Sequence, residues 1–204
     1  MEEIKREEKN YGQFSDEELL DLAKEKDWEA FNQIHLRYRR KIMNFVYRMI
    51  GDIQVAEDVT QETFIRVYTH LDSYHKGNFA GWIYTIARNL SKNELKRKKK
   101  EREVSLESSV SGRENDDFSW TDVLSNQKDV QETDARQKEL EDRVQQAINK
   151  LPFKYREVLI LCGIQGLSYK EAAKILNCSV ENVGVRMHRA REMMRKMFFG
   201  KRGR

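Results

Sequence analysis

The sequence predicts an all-α protein: two small helical domains joined by a flexible acidic linker. Three observations carry that prediction. With one proline and ten glycines in 204 residues, the chain has little of the turn chemistry that many short strands require. Apolar residues recur every third or fourth position over long stretches, the period of a helix with one buried face. Several of these stretches open on Ser, Asp or Asn, and two of the openings carry a Glu three residues later, the pattern of a capping box.

In chain order, residues 1–14 are polar and are expected to form a frayed tail. Ser15 and Glu18 make a capping box for a short helix carrying Leu19, Leu20, Leu22 and Ala23. From Asp27 a longer helix follows, with Phe31, Ile34, Tyr38, Ile42, Phe45 and Met49 on one face and Gly51 as its C-terminal stop. A third helix, over about 53–71, carries Val55, Val59, Phe64, Val67 and Leu71. Residues 72–78, DSYHKGN, read as a loop in which Asn78 caps a fourth helix over 79–100. That helix sets Phe79, Ile83, Ile86 and Leu90 on a core face, with Trp82, Tyr84, Arg88, Asn89, Lys92 and Asn93 on its other faces.

Residues 101–138 are rich in Ser, Asp and Glu with scattered apolar side chains, and read as the linker, with a transient helix near Trp120–Leu124. Helical periodicity returns at Glu139 with Leu140, Val144, Ala147, Ile148 and Leu151. Pro152 then stands where a helix starts, over FKYREVLILCGI. The expected division is therefore a tail at 1–14, a domain at 15–100, a linker at 101–138 and a second domain at 139–204. The closing FFGKRGR is too short for a further domain.

Charge is distributed unevenly. Net charge is +2 over residues 1–100, −5 over 101–138 and +7 over 139–204. Basic ends around an acidic middle suggest two nucleic-acid contacts joined by a segment that avoids phosphate. No run approaches the length of a membrane span and the N-terminus lacks an apolar signal core, so a cytoplasmic protein without membrane insertion is expected. Cys162 and Cys178 form neither a disulfide framework nor a zinc quartet and read as buried thiols. The four histidines show no metal-ligand spacing, and no phosphate loop, nucleophile motif or dinucleotide fingerprint occurs. The expectation is a non-enzyme without cofactor or metal.

The most informative stretch is 166–197. Ser168 and Glu171 cap a short helix with Ala172, Ala173 and Leu176 on its apolar side. After an Asn177–Cys178–Ser179 turn, Ser179 caps a second helix whose stripe is Val180, Val183, Met187, Ala190, Met194 and Met197. Arg186, His188, Arg189, Arg191, Arg195 and Lys196 surround that stripe. A tight turn between two short helices, the second basic, is the pattern of a helix-turn-helix reading the DNA major groove.

Five blocks occur in order: AEDVTQETFIRVY (56–68), FAGWIYTIARNLSKNELKRKKK (79–100), LPFKYREVLIL (151–161), GLSYKEAAKIL (166–176) and RMHRAR (186–191). Together they resemble an extracytoplasmic-function (group four) sigma factor of the bacterial sigma-70 type. The resemblance implies a sigma-two and a sigma-four domain, a linker running through the polymerase core, and a dissociable initiation subunit that recognises −10 and −35 promoter elements. It also implies core RNA polymerase and promoter DNA as partners, and an anti-sigma factor, commonly membrane-linked. The linker's negative charge would then imitate nucleic acid in the RNA exit path.

Site residues follow from the residues and the resemblance together. Asp58, Gln61 and Glu62 are spaced to share a helix face, a compact acidic patch that repels phosphate and suits a protein contact. By resemblance they, with Phe64, dock on the polymerase clamp. An ordinary solvated face is the competing interpretation of that spacing. For the −10 element the candidates are Lys76, Asn78, Arg88, Asn89, Lys92, Asn93 and Lys96. Asn89 and Asn93 offer donor and acceptor to a base edge, and residues 88–100 hold seven basic side chains against one acidic. Trp82 is read as core, and the lysine run as phosphate-binding. By resemblance the 72–78 loop holds a flipped base, and Asn93 stands where the family usually has an acid.

For the −35 element the candidates are Arg186, His188, Arg189, Arg191 and Arg195. Here the chain departs from the family's common pattern: Gly184 replaces a lysine or arginine and Val185 a serine. Glycine supplies no donor, while Val185 offers a methyl contact to thymine. Two other interpretations stay open on the residues alone: a stand-alone helix-turn-helix regulator, and a protein-interaction adaptor whose basic helices bind a partner.

Overall fold

The computed structural model describes residues 10–75, 77–108 and 132–200. Among them there are eight α-helices and no strand: α1 (Asp16–Lys24), α2 (Trp28–Ile50), α3 (Ile53–Thr69), α4 (Phe79–Ser108), α5 (Glu132–Lys150), α6 (Phe153–Val158), α7 (Tyr169–Leu176) and α8 (Val180–Phe199). α6 continues directly into a π-helical turn over Leu159–Ile164.

The predicted caps form. Ser15 and Glu18 close a capping box on α1, and Ser168 and Glu171 another on α7. Asp27 and Ser179 accept from the third residue of α2 and α8, and Asp52, which sequence reasoning did not name, does the same for α3. α2 stops at Gly51, whose φ of +80° suits glycine, and where a Cβ would run into the Asn149 side chain. Asn177 takes the left-handed conformation at φ +49° and turns the chain from α7 into α8.

α1 to α4 pack around Leu19, Leu20, Ile34, Ile42, Phe45, Met49, Val67 and Ile83, all essentially inaccessible. α5 to α8 bury Ile148, Leu151, Ile160, Leu161, Ala172, Val183, Met187 and Ala190. The two halves also touch. Arg156 donates to Met49 O at the end of α2 (2.7 Å), to Leu151 O (3.2 Å) and to Asn149 O. Arg48 and Gln145 exchange bonds between α2 and α5 (3.0 and 3.2 Å). Tyr84 on α4 donates to Gln165 Oε1 at 3.0 Å.

Several expectations are corrected. Residues 10–14 are tied down: Arg37 donates to the carbonyls of Tyr11, Gly12 and Phe14 and pairs with Asp16 at 2.8 Å. Both ends of the predicted linker are helical, since α4 runs on to Ser108 and α5 starts at Glu132. Charge spacing carries the first extension, with Arg97 paired to Glu94 and Glu101 (2.6 Å each) and Lys99 near Glu103 (3.6 Å). The suggested helix near Trp120–Leu124 lies outside the described residues.

Tyr84 is buried against Phe45, and that burial pushes its phenol up to about 12. Leu140, Val180 and Met197, counted as core-facing, are exposed, the first midway along α5 and the other two near the ends of α8. Cys162 and Cys178 are partly buried free thiols. Among the described residues no helix is long and apolar enough to cross a membrane, and no cluster of metal-binding side chains occurs.

Candidate nucleic-acid and protein-docking surfaces

The outward face of α3 carries Gln54, Glu57, Asp58, Gln61, Ile65 and Tyr68, all exposed. Glu62 lies at its edge, paired to Arg66 at 2.7 Å. Asp58, Gln61 and Glu62 thus share one surface, as their spacing predicts. Phe64 does not. It is 6% exposed and its ring meets that of His35 at 4.6 Å, so it anchors α3 from beneath. The helical period turns position 64 inward and position 65 outward. Desolvation, with Arg39 nearby, holds the His35 imidazole below its usual range.

Sequence reasoning missed the apolar end of this face. Ile65 is 57% exposed, and Tyr68 stands edge-on to both Phe31 and the exposed Trp28. A side chain that breaks the polar pattern of a solvated face was the available signal. An acidic strip continuous with exposed aromatic and aliphatic groups has the composition of a protein-docking surface.

A second surface forms around the start of α4. Asn78 caps the helix by accepting from Gly81 N at 3.0 Å. The loop before it is pinned from α1: Tyr74 donates to Glu17 Oε1 (2.6 Å) and Lys24 donates to Tyr74 O (3.0 Å). Trp82 is half-buried, tilted against Tyr74 (5.0 Å) and Phe79 (6.0 Å), so it is part core and part surface. It lines a cleft with Asn78, Gly81 and Thr85, and Lys174 and Ile175 of α7 form the opposite wall.

Asn89, Asn93 and Lys96 are exposed, whereas Lys92 is half-buried with its ammonium over the Phe153 ring. Lys76 lies outside the described residues. The basic run beyond is partly engaged within the chain, for Lys98 donates to Asp52 at 2.9 Å and holds that carboxyl below the usual range.

The third surface is α8. His188, Arg189, Arg191 and Arg195 are exposed, and His188 lies 3.9 Å from Glu192. Arg189 donates to the Tyr155 hydroxyl at 3.4 Å, and that hydrogen bond lowers the phenol's pKa. Val185 is 53% exposed, and Gly184 meets only the Tyr169 ring. Arg186 behaves differently from the other arginines, turning inward toward Glu157 at 3.4 Å.

Glu157, on α6, is a buried charge that sequence reasoning did not single out. Its side chain is 2% exposed, and its other oxygen accepts from Arg88 Nε at 2.7 Å. Arg88, a −10 candidate, and Arg186, a −35 candidate, therefore converge on one buried carboxylate. Their partners stand 69 and 29 positions away in the chain, and no local spacing announces them.

A family model for Sigma-70 region 2 matches residues 34–101, and one for Sigma-70, region 4 matches residues 141–194. The chain is 38% identical over 175 residues to the ECF RNA polymerase sigma factor SigW of Bacillus subtilis, covering 85% of this chain and 91% of that protein. It is 33% identical over 187 residues to the RNA polymerase sigma-H factor of Pseudomonas aeruginosa, covering 90% and 94%. A solved structure of the sigma factor RpoE with the anti-sigma factor NepR from Bartonella quintana aligns with TM-score 0.60 and 25% identity, over 84% of this chain and 98% of that one. A structure of CnrH with the cytosolic domain of CnrY shares the fold at TM-score 0.66 and 23% identity, over 91% and 98%.

Proposed function

The chain belongs to the extracytoplasmic-function sigma factors of the sigma-70 type, and from that premise we propose how its surfaces divide the work. As an RNA polymerase sigma factor it binds core polymerase and directs promoter-specific initiation through −10 and −35 elements. In the proposed division, residues 15–100 form the sigma-two domain and residues 139–204 the sigma-four domain.

Asp58, Gln61 and Glu62 dock on the polymerase clamp, joined by Ile65 and Tyr68. Negative charge beside exposed apolar groups supports this, because the strip repels DNA while offering area to a protein. Asn89, Asn93, Lys92 and Lys96, with the Asn78 end of the loop, take the −10 strand, where amides read base edges and ammonium groups follow the backbone. Arg186, Arg189 and His188 enter the −35 major groove, with Arg191 and Arg195 on phosphates. Arg88 and Arg186 join only after leaving Glu157.

The reading assigns no catalysis, cofactor or metal to the chain, and places it in the cytoplasm beside polymerase and DNA. An anti-sigma factor is proposed as a further partner, as in the solved RpoE–NepR complex. The acidic linker read over residues 101–138 would run through the polymerase, its charge imitating nucleic acid.

The single observation that carries the reading is the pairing, in one chain, of an exposed acidic α3 face with a capped basic α8. A stand-alone regulator needs only the second, and an adaptor has no use for the helix-turn-helix. The test is a pull-down with core polymerase followed by run-off transcription on a promoter library. Core binding with promoter-specific transcripts is expected, and the reading fails if neither appears.

A further inference from the structure

A sigma factor must present both of its DNA-reading helices at once, on elements far apart along the duplex. Centres near −10 and −35 are separated by about 25 base pairs, or roughly 85 Å at about 3.4 Å per step. In this structure Arg88 of α4 and Arg186 of α8 instead meet on one carboxylate, at 2.7 and 3.4 Å from Glu157. Glu157 and Arg186 share the second domain, so it is Arg88 that cannot remain on Glu157 while both helices stand on their elements. The described arrangement is a closed chain.

We propose that Glu157 is an interdomain latch: from the domain that carries the −35 helix it holds Arg88 of the −10 helix, so that promoter binding requires Arg88 to leave it. The inference rests on the sigma-factor reading, because that reading makes both arginines DNA contacts.

Glu157 is suited to this role because it is buried, at 2% side-chain exposure, while the two guanidiniums on it are 17% and 23% exposed. A buried carboxylate holds its partners with little screening by salt, unlike a surface pair. It offers two oxygens to the arginines much as a phosphate would. Neighbouring contacts close the same seam. The Arg88 guanidinium also lies over the Phe153 ring at 5.8 Å, and Tyr84 donates to Gln165 across the same junction. Lys174 and Ile175 of α7 wall the cleft that holds Asn78 and Trp82. Opening this seam frees Arg88 and uncovers the −10 surface in one step.

The test uses the full chain, free of polymerase, with Glu157→Gln, which keeps the shape and removes the charge. Phenylglyoxal labelling followed by peptide mass spectrometry reads the latch itself. Arg88 and Arg186 are expected to be protected in the parent chain and reactive in the variant, while exposed Arg189 labels equally in both. Binding to short duplex DNA of mixed sequence, measured against salt, reads the consequence. Two freed arginines steepen the slope of log affinity against log salt by about 1 to 2.

Unchanged labelling of Arg88 and Arg186 overturns the latch. Increased labelling with an unchanged salt slope overturns their role as DNA contacts released by it. Circular dichroism checks that the variant keeps its helices. If it does not, Glu157→Met, which keeps the length of the side chain, removes the charge and suits a buried site, replaces it under the same two criteria. Failure of the parent chain in run-off transcription would instead count against the sigma-factor reading, which the labelling does not address.

Discussion

The α3 face and the arginine-bearing faces of α4 and α8 are prepared very differently. On α3, Asp58, Gln61, Ile65 and Tyr68 all stand in solvent. On the other side Arg88 and Arg186 are turned onto Glu157, Lys98 is paired with Asp52, and Arg97 is paired with two glutamates. In the closed chain the α3 face is therefore wholly presented, whereas Arg88 and Arg186 are withheld from a DNA surface whose other basic groups stand exposed. That difference suits a subunit that should find polymerase first, because basic helices left free would bind any duplex they touched.

The sharpest way to break the comparison is to separate two neighbours on α3. Phe64→Ala empties a buried site and is expected to lower the stability of the amino-terminal domain by about 3–5 kcal/mol, read by denaturant unfolding. Ile65→Asp, one residue on, changes an exposed position and is expected to alter stability by less than about 0.5 kcal/mol. It should nevertheless weaken core polymerase binding by about 2 kcal/mol or more, as loss of a central interface contact does. A pull-down titration checks this, and equal binding by Ile65→Asp and parent would remove the apolar half of the proposed docking face.

These two residues also show where sequence periodicity is informative. The spacing of Val59, Phe64 and Val67 identifies the buried side of α3 without any tertiary information, and all three are buried. Caps are equally legible, since Ser15–Glu18 and Ser168–Glu171 lie three residues apart and satisfy each other locally. What a helical wheel cannot show is a second domain laid against a helix. Tyr84 looked outward because its partners include Gln165, and Glu157 looked like one acid in an apolar run because both its arginines arrive from elsewhere. The helix ends failed for another reason. Ser, Asp and Glu composition suggested a linker from 101 to 138, but the i, i+4 pair of Arg97 and Glu101 carries α4 across the first boundary.

A milder perturbation uses acid in place of substitution. His35 lies under the α3 face, and its folded pKa is depressed below the ordinary 6.5, first by desolvation and then by Arg39. The unfolded chain therefore takes up the proton first as pH falls. Stability contributed by the neutral ring is present above about pH 6.5 and is lost as pH drops from there through the folded pKa. Hydrogen exchange at α2 and α3 amides should accelerate as pH falls below about 6.5, after correction for the intrinsic rate. His35→Gln should flatten that dependence. Equal acceleration in the variant would show that another group carries it.

The smallest effect concerns Gly184, and its sign is what matters. The residue lies inside α8 with ordinary helical φ, and a Cβ placed there would meet only the Tyr169 ring at 3.8 Å, an ordinary contact. Nothing in the free chain therefore requires glycine. Alanine should stabilise the carboxy-terminal domain by up to about 1 kcal/mol through helix propensity alone, seen as a higher melting temperature. A glycine kept against that gain is explained if the DNA backbone or a base edge approaches α8 at this point, where a methyl group would intrude. Gly184→Ala would then melt later and yet yield fewer transcripts from promoters that depend on the −35 element, while promoters driven mainly by the −10 element would be spared. Parallel gains in stability and in −35-dependent transcription would remove the close-approach explanation and leave base selection on α8 to Val185 and the arginines.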